Sequence, residues 1–486
     1  NPPKSVYLST DENGTTGIVS RDQGHITFAM KDGKGKFNTK HVKGASTISY
    51  TVTGVADDKT DTDGSRLYRL SDYYVDVGGT QKNLEEEFAA SGAGKITPKA
   101  LTATVVNQHI TKVYDAMDDQ TDGKRHIIKG DDLVTLSGWV AGDTARTNTS
   151  TATYASPNVA WDDTNKREQA QNVTYNVSFD RGTGAESDNY ILDGTKTGDD
   201  RYKLTLIQDS SGNNYTGTIK QREVALTMGA VDKIYDGTAE NKKSGITGVA
   251  GATASDSVAA TILNEDGVTA DKLKTKHTAM LTAGTAKSSY GRVTGSSFAE
   301  DANASNGKEH DVRYQNIDEL FQAVVDAAKK NNYKVDDTVY GKGTINRRLI
   351  EKSGFQVRKS DGTLADATKV YDGTDTYNLP SGAYLTGSSA SGDTGIVSHD
   401  FGKVVFELKT NSPGHFTKDA AGANRTSHKS EAKYIAYDVK AKTLDPTNNP
   451  LSNYTFGVAG SPRNLETVTD ANPAQVTAGG SITSAS

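Results

Sequence analysis

Apolar and polar residues alternate with period two along most of this chain. Thr47-Ile48-Ser49-Tyr50-Thr51-Val52 is the clearest run, and residues 101–105, 173–179, 202–207 and 403–408 follow the same rule. Alternation of this kind predicts strands with one buried and one wet face. The runs are bounded by Asp-Gly steps at Asp193-Gly194, Asp236-Gly237, Asp266-Gly267, Asp361-Gly362 and Asp372-Gly373, which supply the positive dihedrals of tight turns. Two stretches have helical spacing instead. Residues 317–330 carry apolar side chains at Ile317, Leu320, Phe321, Val324, Val325 and Ala328, with Asn316 as the predicted cap, acids first and Lys329 and Lys330 last. A weaker helix is predicted over 84–90. The expected class is therefore all-β, an elongated array of small modules with one or two short helices. Immunoglobulin-like sandwiches and β-grasp-like modules remain equally open.

Superimposed on the alternation is a longer repeat. Lys112-Val113-Tyr114-Asp115 returns as Lys233-Ile234-Tyr235-Asp236 and Lys369-Val370-Tyr371-Asp372, at separations of 121 and 136 residues. That is the length of a small domain, so the chain reads as an array of modules. A Gly-x-Ile step recurs at Gly94, Gly217, Gly343 and Gly480. A polar step into tyrosine recurs as Asn189-Tyr190, Asn332-Tyr333 and Asn453-Tyr454, more loosely as Asp72-Tyr73-Tyr74. Gly14-Thr15-Thr16-Gly17-Ile18-Val19-Ser20 nearly repeats as Gly392-Asp393-Thr394-Gly395-Ile396-Val397-Ser398, and Pro3 with Tyr7-Leu8 echoes Pro380 with Tyr384-Leu385.

These landmarks place segments at 1–98, 99–222, 223–348 and 349–486. The first is expected to start inside a module, and the helix over 316–330 falls in the third. The linkers between them are short, which predicts a semi-rigid rod whose modules contact mainly their neighbours.

Composition then removes several functions. Acids outnumber bases by 61 to 55, giving a net charge of −6, and the bases are scattered, which argues against a nucleic-acid partner. With no cysteine, disulfides, thiol chemistry and cysteine-ligated zinc are excluded. No stretch approaches the roughly 18–20 continuous apolar residues of a spanning helix, so membrane insertion of this segment is not expected. The nine histidines are scattered, and His-x-x-x-His, Gly-x-Ser-x-Gly and phosphate-loop signatures are missing. When the two Gly-Ile-Val-Ser segments are superposed, His25 falls opposite Lys403 and His399 opposite Arg21, which argues against a catalytic role repeated in every module. The expectation is a protein that is not an enzyme and needs no cofactor.

Acidic loops at 57–64 and at Asp115, Asp118, Asp119 and Asp122 invite calcium, yet neither has the ligand order of a calcium loop, and solvated turns are the expected reading. A covalent staple needs lysine, asparagine and a buried acid. Lys112, Lys233 and Lys369 with Asn189, Asn332 and Asn453 are the candidate isopeptide partners. In the recurring motif itself, tyrosine is expected to pack its ring on the core with its hydroxyl at the edge, while Asp-Gly turns the chain. Ala116 stands where the other copies have glycine, so the turn is not expected to require glycine there.

Lys-x-Tyr-Asp-Gly-Thr with a later Asn-Tyr and a closing Gly-x-Ile resembles the YDG and related MBG-type repeats of large bacterial surface proteins. The resemblance covers residues 99–486 well, and 1–98 only through the later landmarks. It implies tandem modules in filamentous-haemagglutinin-like exoproteins, hence an extracellular, cell-surface adhesin segment associated with an outer membrane or cell wall. Its expected partners are adjacent modules and a glycan or protein on a host or neighbouring cell. The alternative is a passive stalk that projects a distal binding domain. No binding residue follows from the resemblance, and the three motif copies mark architecture.

Overall fold

The computed structural model describes residues 16–485, so Pro3, Tyr7-Leu8, Gly14 and Thr15 of the sequence match lie outside the described residues. Strands make up 41% of the chain and helices 11%, so the class is all-β. The chain divides into two compact units. The first holds residues 1–113 and 117–220, the second residues 114–116 and 221–486.

In the first unit, Ile26–Phe37, Thr47–Ala56 and Phe88–Ala93 form an antiparallel sheet. Ile18, Ile26, Val52, Leu84 and Phe88 form its core. The helix predicted over 84–90 does not form. Phe88 lies opposite Val52 in a strand ladder, and the Asn83 side chain turns the chain by accepting the Glu85 amide at 3.0 Å. Burial of Leu84 and Phe88 on a sheet edge outweighs the helix propensity of three glutamates. Further on, Gln171–Ser178 is flanked by Thr151–Tyr154, Lys203–Leu206 and Thr216–Lys220, with Val173, Tyr175 and Val177 buried as the alternation requires.

In the second unit, Val231–Ile234, Val339–Asn346, His310–Gln315, Lys287–Thr294 and Ser297–Glu300 make one sheet, and Ile246–Gly251, Arg222–Met228 and Tyr333–Val335 another. Further along the chain, Tyr434–Thr443 pairs with Val404–Leu408, Gly414–Thr417 and Ala474–Gly479.

Three α-helices are present among the described residues: α1 (Ala259–Glu265), α2 (Ala270–Ala283) and α3 (Ile317–Val324). Helix α3 is shorter than predicted. Val325 turns extended at φ −67°, ψ 148°, and Asp326 captures the Ala328 amide at 2.9 Å, a local bond that competes with continuing the helix. Asn316 does not cap it. It sits left-handed at φ 63°, and Asp337 receives the Ile317 and Asp318 amides instead. Helices α1 and α2 were unforeseen. Their signal was present, since Leu273, His277, Met280 and Leu281 share the buried face, the Thr269 side chain caps Lys272 and Gly284 closes the end left-handed. No helix among the described residues is long and apolar enough to cross a membrane.

One pairing recurs three times. The strand carrying Lys-x-Tyr-Asp runs parallel to the strand carrying Gly-x-Ile, as His109–Val113 with Thr216–Lys220, Val231–Ile234 with Val339–Asn346, and Thr368–Val370 with Ser481–Thr483. The Asn-Tyr strands also pair in parallel, Tyr190–Ile191 with Lys99–Ala100, Tyr333–Val335 with Arg222–Met228, and Tyr454–Gly457 with Arg348–Glu351. Parallel neighbours need a long crossover. That is why landmarks far apart in sequence keep their order, because each copy brings its early and late strands together. The glycine of Gly-x-Ile is required by space. A Cβ on Gly217 would stand 2.6 Å from the Tyr154 ring, and one on Gly343 2.7 Å from Tyr290.

His277, on α2, is fully buried, with Nδ1 2.9 Å from Ser244 Oγ. Burial pulls its pKa down to about 4. The folded protein then binds fewer protons than the unfolded chain between that value and the ordinary histidine pKa of about 6.5. Stability contributed by the neutral ring is full above about pH 6.5 and lost as pH falls towards 4. A loss of about 3 kcal/mol across this window is expected. It would appear in melting curves as a pH dependence that a His277→Gln chain lacks.

Candidate functional site

The recurring lysine is a clamp on its own turn. Lys233 Nζ donates to the carbonyls of Thr238 at 2.7 Å and Glu240 at 2.8 Å, five and seven residues on. Lys369 does the same to Thr374 and Thr376, at 3.0 and 2.8 Å, and Lys112 to Met117 and Asp119. The aspartate holds the turn from inside: Asp236 and Asp372 accept the amides of Thr238 and Thr374 at 2.9 and 2.8 Å. The hydrogen bond from Lys369 is the first cause that holds the Asp372 carboxyl down at about 2.

The turn does demand positive φ. Gly237 and Gly373 adopt 81° and 82°, and Ala116 is forced to 65°. A side chain in that region costs roughly 1 kcal/mol. Ala116→Gly is therefore expected to raise stability by up to about 1 kcal/mol in urea titration, an unusual gain for a glycine substitution.

Between Lys and Asp, the Tyr114 and Tyr235 rings are buried as the sequence suggested, but their hydroxyls are buried on a carboxylate and do not lie at an edge. Tyr235 is carried into the fourth segment, where its hydroxyl donates to Asp400 at 2.9 Å. Tyr454, the tyrosine of the Asn-Tyr step, donates to the same carboxylate at 2.8 Å and receives the Val397 amide at 3.2 Å. The rings meet edge to face at 5.5 Å. Asp400, Tyr235 and Tyr454 are 2, 3 and 0% exposed. Burial, followed by the charge on Asp400, pushes both phenol pKa values up, so both stay protonated donors.

The second unit contains this arrangement twice. Tyr114, in the short piece that belongs to this unit, donates to Asp266 at 2.7 Å, Tyr333 donates to it at 2.6 Å, and their rings also lie 5.5 Å apart. Lys329 adds an ammonium 3.0 Å from Asp266. An arginine clamps each tyrosine's carbonyl. Arg222 Nε donates to the Tyr114 carbonyl at 2.7 Å and its guanidinium pairs with Asp256. Arg348 donates to the carbonyls of Tyr235, Gly392, Thr394 and Gly395.

The first unit repeats the receiving half. Tyr73 donates to Asp22 at 2.8 Å and takes the Val19 amide at 3.2 Å, while Tyr190 donates to Asp143 at 2.6 Å and takes the Val140 amide at 3.0 Å. Burial raises the pKa of both phenols. The four aspartates were missed in the sequence although a signal existed. Each lies three residues after an apolar position, as Val19 to Asp22, Val140 to Asp143, Leu263 to Asp266 and Val397 to Asp400.

The asparagines of the Asn-Tyr step reach back to an earlier loop. Asn189 accepts the Val42 amide at 2.9 Å and donates towards His41, and Asn453 accepts the Ala304 amide at 2.8 Å and donates to Asn303. Asn332 is buried at 1% exposure. None of the bonds described for Lys233, Lys369, Asn189 or Asn453 joins a lysine to an asparagine. In the acidic loops, Asp61 and Asp63 accept from Thr62 and Ser65, and Asp122 from Lys124 and His126. No metal-holding group of acids and histidines occurs among the described residues. Chelation with EDTA is expected to leave the melting temperature unchanged.

Comparison with known families places one domain. A YDG domain matches residues 97–198. The match takes in Lys112, Tyr114 and Asp115 and the Asn189-Tyr190 step. No curated protein matches the chain. Among the matched residues, Lys112 makes the clamp, Tyr114 enters the joint and His109–Val113 supplies one strand of the parallel ladder, whose partner strand Thr216–Lys220 lies beyond the match.

Proposed function

We infer that the chain is a tandem array of YDG-type modules, part of an extracellular bacterial surface protein in the manner of filamentous-haemagglutinin-like adhesins, and that it works by display rather than catalysis. The observation that carries this reading is the buried joint around Asp400. Residues from the third and fourth segments share one carboxylate, one arginine and a pair of rings. Two of the three recurring tyrosines, Tyr114 and Tyr235, are spent on linking, which suits a semi-rigid stalk projecting a binding domain. No cofactor is needed for such work.

Direct binding is favoured by one feature of the third segment. A cleft of about 460 Å3 is lined by Glu240, Asn241, Ser288, Glu300, Arg313 and Gln315, polar groups suited to a glycan or a protein loop. The test applies the purified chain to host cells and to arrays of glycans and matrix proteins, with heat-unfolded protein as control. Saturable, fold-dependent binding that Arg313→Ala abolishes assigns adhesion to the cleft. Absence of binding across the array leaves display as the function, and binding by the unfolded control overturns both.

A further inference from the structure

His310 opens the strand His310–Gln315, is fully buried, and is not among the groups that meet at Asp266 or Asp400. Its ring ties together the loop 301–309 that leads into it. Nδ1 lies 2.8 Å from Ser305 Oγ, and Nε2 lies 3.2 Å from Asp301 Oδ2. These neighbours fix where the proton sits. Ser305 Oγ accepts the Ile345 amide at 2.9 Å, so its own hydrogen is donated to Nδ1, and the hydrogen of the neutral ring is on Nε2, facing the carboxylate. The other tautomer would set a lone pair against Asp301.

The same loop is what the fourth segment grips. Asn453 accepts the amide of Ala304, next to Ser305, at 2.8 Å and donates to Asn303 at 3.1 Å, while the Ser305 amide donates to the Ile345 carbonyl at 2.9 Å. Asn189 holds Val42 and His41 in the same way in the first unit. A recurring bond between segments therefore rests, in the second unit, on a loop whose shape His310 sets. Three charged groups bear on the ring. Asp301 favours its protonation, Arg292 on Lys287–Thr294 lies 3.8 Å from Asp301 and opposes it, and Asp311, the next residue, is paired with Lys342 at 2.6 Å. Opposite it on Val339–Asn346 stands the uncharged Gly343, and the Tyr290 ring meets it edge to face at 5.9 Å. Burial outweighs Asp301 and holds the His310 pKa below its ordinary value of about 6.5. The neutral ring and its bonds are thus complete at neutral pH, and their contribution is lost as pH falls through the lowered pKa.

We propose that His310 is an acid-operated latch, which on gaining a proton at Nδ1 gives up the Ser305 hydroxyl and loosens the loop 301–309 from Ile345 and Asn453 without unfolding the sheets on either side. One proton is taken from solvent, and the Ser305 hydrogen stays on Oγ, turned away from a ring nitrogen that has become a donor. A buried hydroxyl then lacks an acceptor and the imidazolium is drawn towards Asp301. The proposal goes beyond display and holds whether or not the chain is adhesive.

The test is hydrogen exchange of the full chain read by mass spectrometry, in a His277→Gln background so that the other buried histidine of this unit does not titrate, and corrected for the intrinsic effect of pH on exchange. From about pH 7.5 to about pH 4.5, protection of peptides covering 301–309 and 450–456 is expected to fall at least about three-fold relative to peptides from Tyr434–Thr443. His310→Gln is expected to abolish the fall, because its amide oxygen accepts from Ser305 and its nitrogen faces Asp301 at every pH. Asp301→Asn removes the carboxylate that favours the imidazolium and is expected to move the fall to lower pH, a shift that a purely structural role for His310 would not produce. Should His310→Gln not fold, that shift decides. No fall, an equal fall in all peptides, a fall that persists in His310→Gln, or one that Asp301→Asn leaves in place overturns the proposal.

Discussion

Asp400→Ala is expected to destabilise the second unit by about 4 kcal/mol. The carboxylate is 2% exposed and is the acceptor for two phenols that burial keeps protonated. Removing it leaves two buried hydroxyls without that acceptor, each costing roughly 1–3 kcal/mol, because an unmet buried donor loses its full solvation. The control is Asp143→Ala. Asp143 accepts one phenol and is solvent-exposed, so water replaces it, and a loss of about 1 kcal/mol is expected. Urea denaturation reads both through the shift of the midpoint. Equal shifts for the two variants would show that the paired-phenol site carries no special weight.

Arg348→Lys ranks second, with an expected loss of about 3 kcal/mol. The guanidinium is 5% exposed and reaches four carbonyls, on Tyr235, Gly392, Thr394 and Gly395, in directions fixed by its plane. Lysine offers donors from a single point and cannot span that set, so it leaves a buried charge with acceptors unmet. Arg347→Lys serves as the comparison. Arg347 bonds Asn306 and Glu466 at a more exposed position, and an effect below about 1 kcal/mol is expected. Should the two substitutions cost the same, the clamp on the Tyr235 carbonyl would not be what holds the joint.

Both predictions depend on residues that motif reading passed over. Tyr235 was legible because it recurs with a lysine before it and an aspartate after it. Asp400 recurs only as an acid three residues after an apolar position, a pattern too common to stand out in one sequence. The arginine is harder still, since Lys99 takes the corresponding place in the second segment and Ala485 follows the last Gly-x-Ile step. The lysine clamp was hidden for another reason. It acts on backbone carbonyls, which every residue has, so the positions it contacts carry no preferred side chain. Helix propensity misled at 84–90, where Phe88 finds Val52 across a ladder, and helix α2 passed unseen although Leu273, His277 and Leu281 lie one turn apart.

What the sequence by itself determined is local or periodic. Alternation defined strands because successive side chains face opposite ways, Asp-Gly steps marked turns because few residues accept positive φ, and repetition of the landmarks exposed a repeated structure. Tertiary structure alone decided where the recurring tyrosine goes. Its acceptor is 165 residues away in sequence, and the pairing is made by burial of a carboxylate on which two phenols converge. A side chain's type is written in the chain, but its partner is chosen by which polar groups the fold removes from water together.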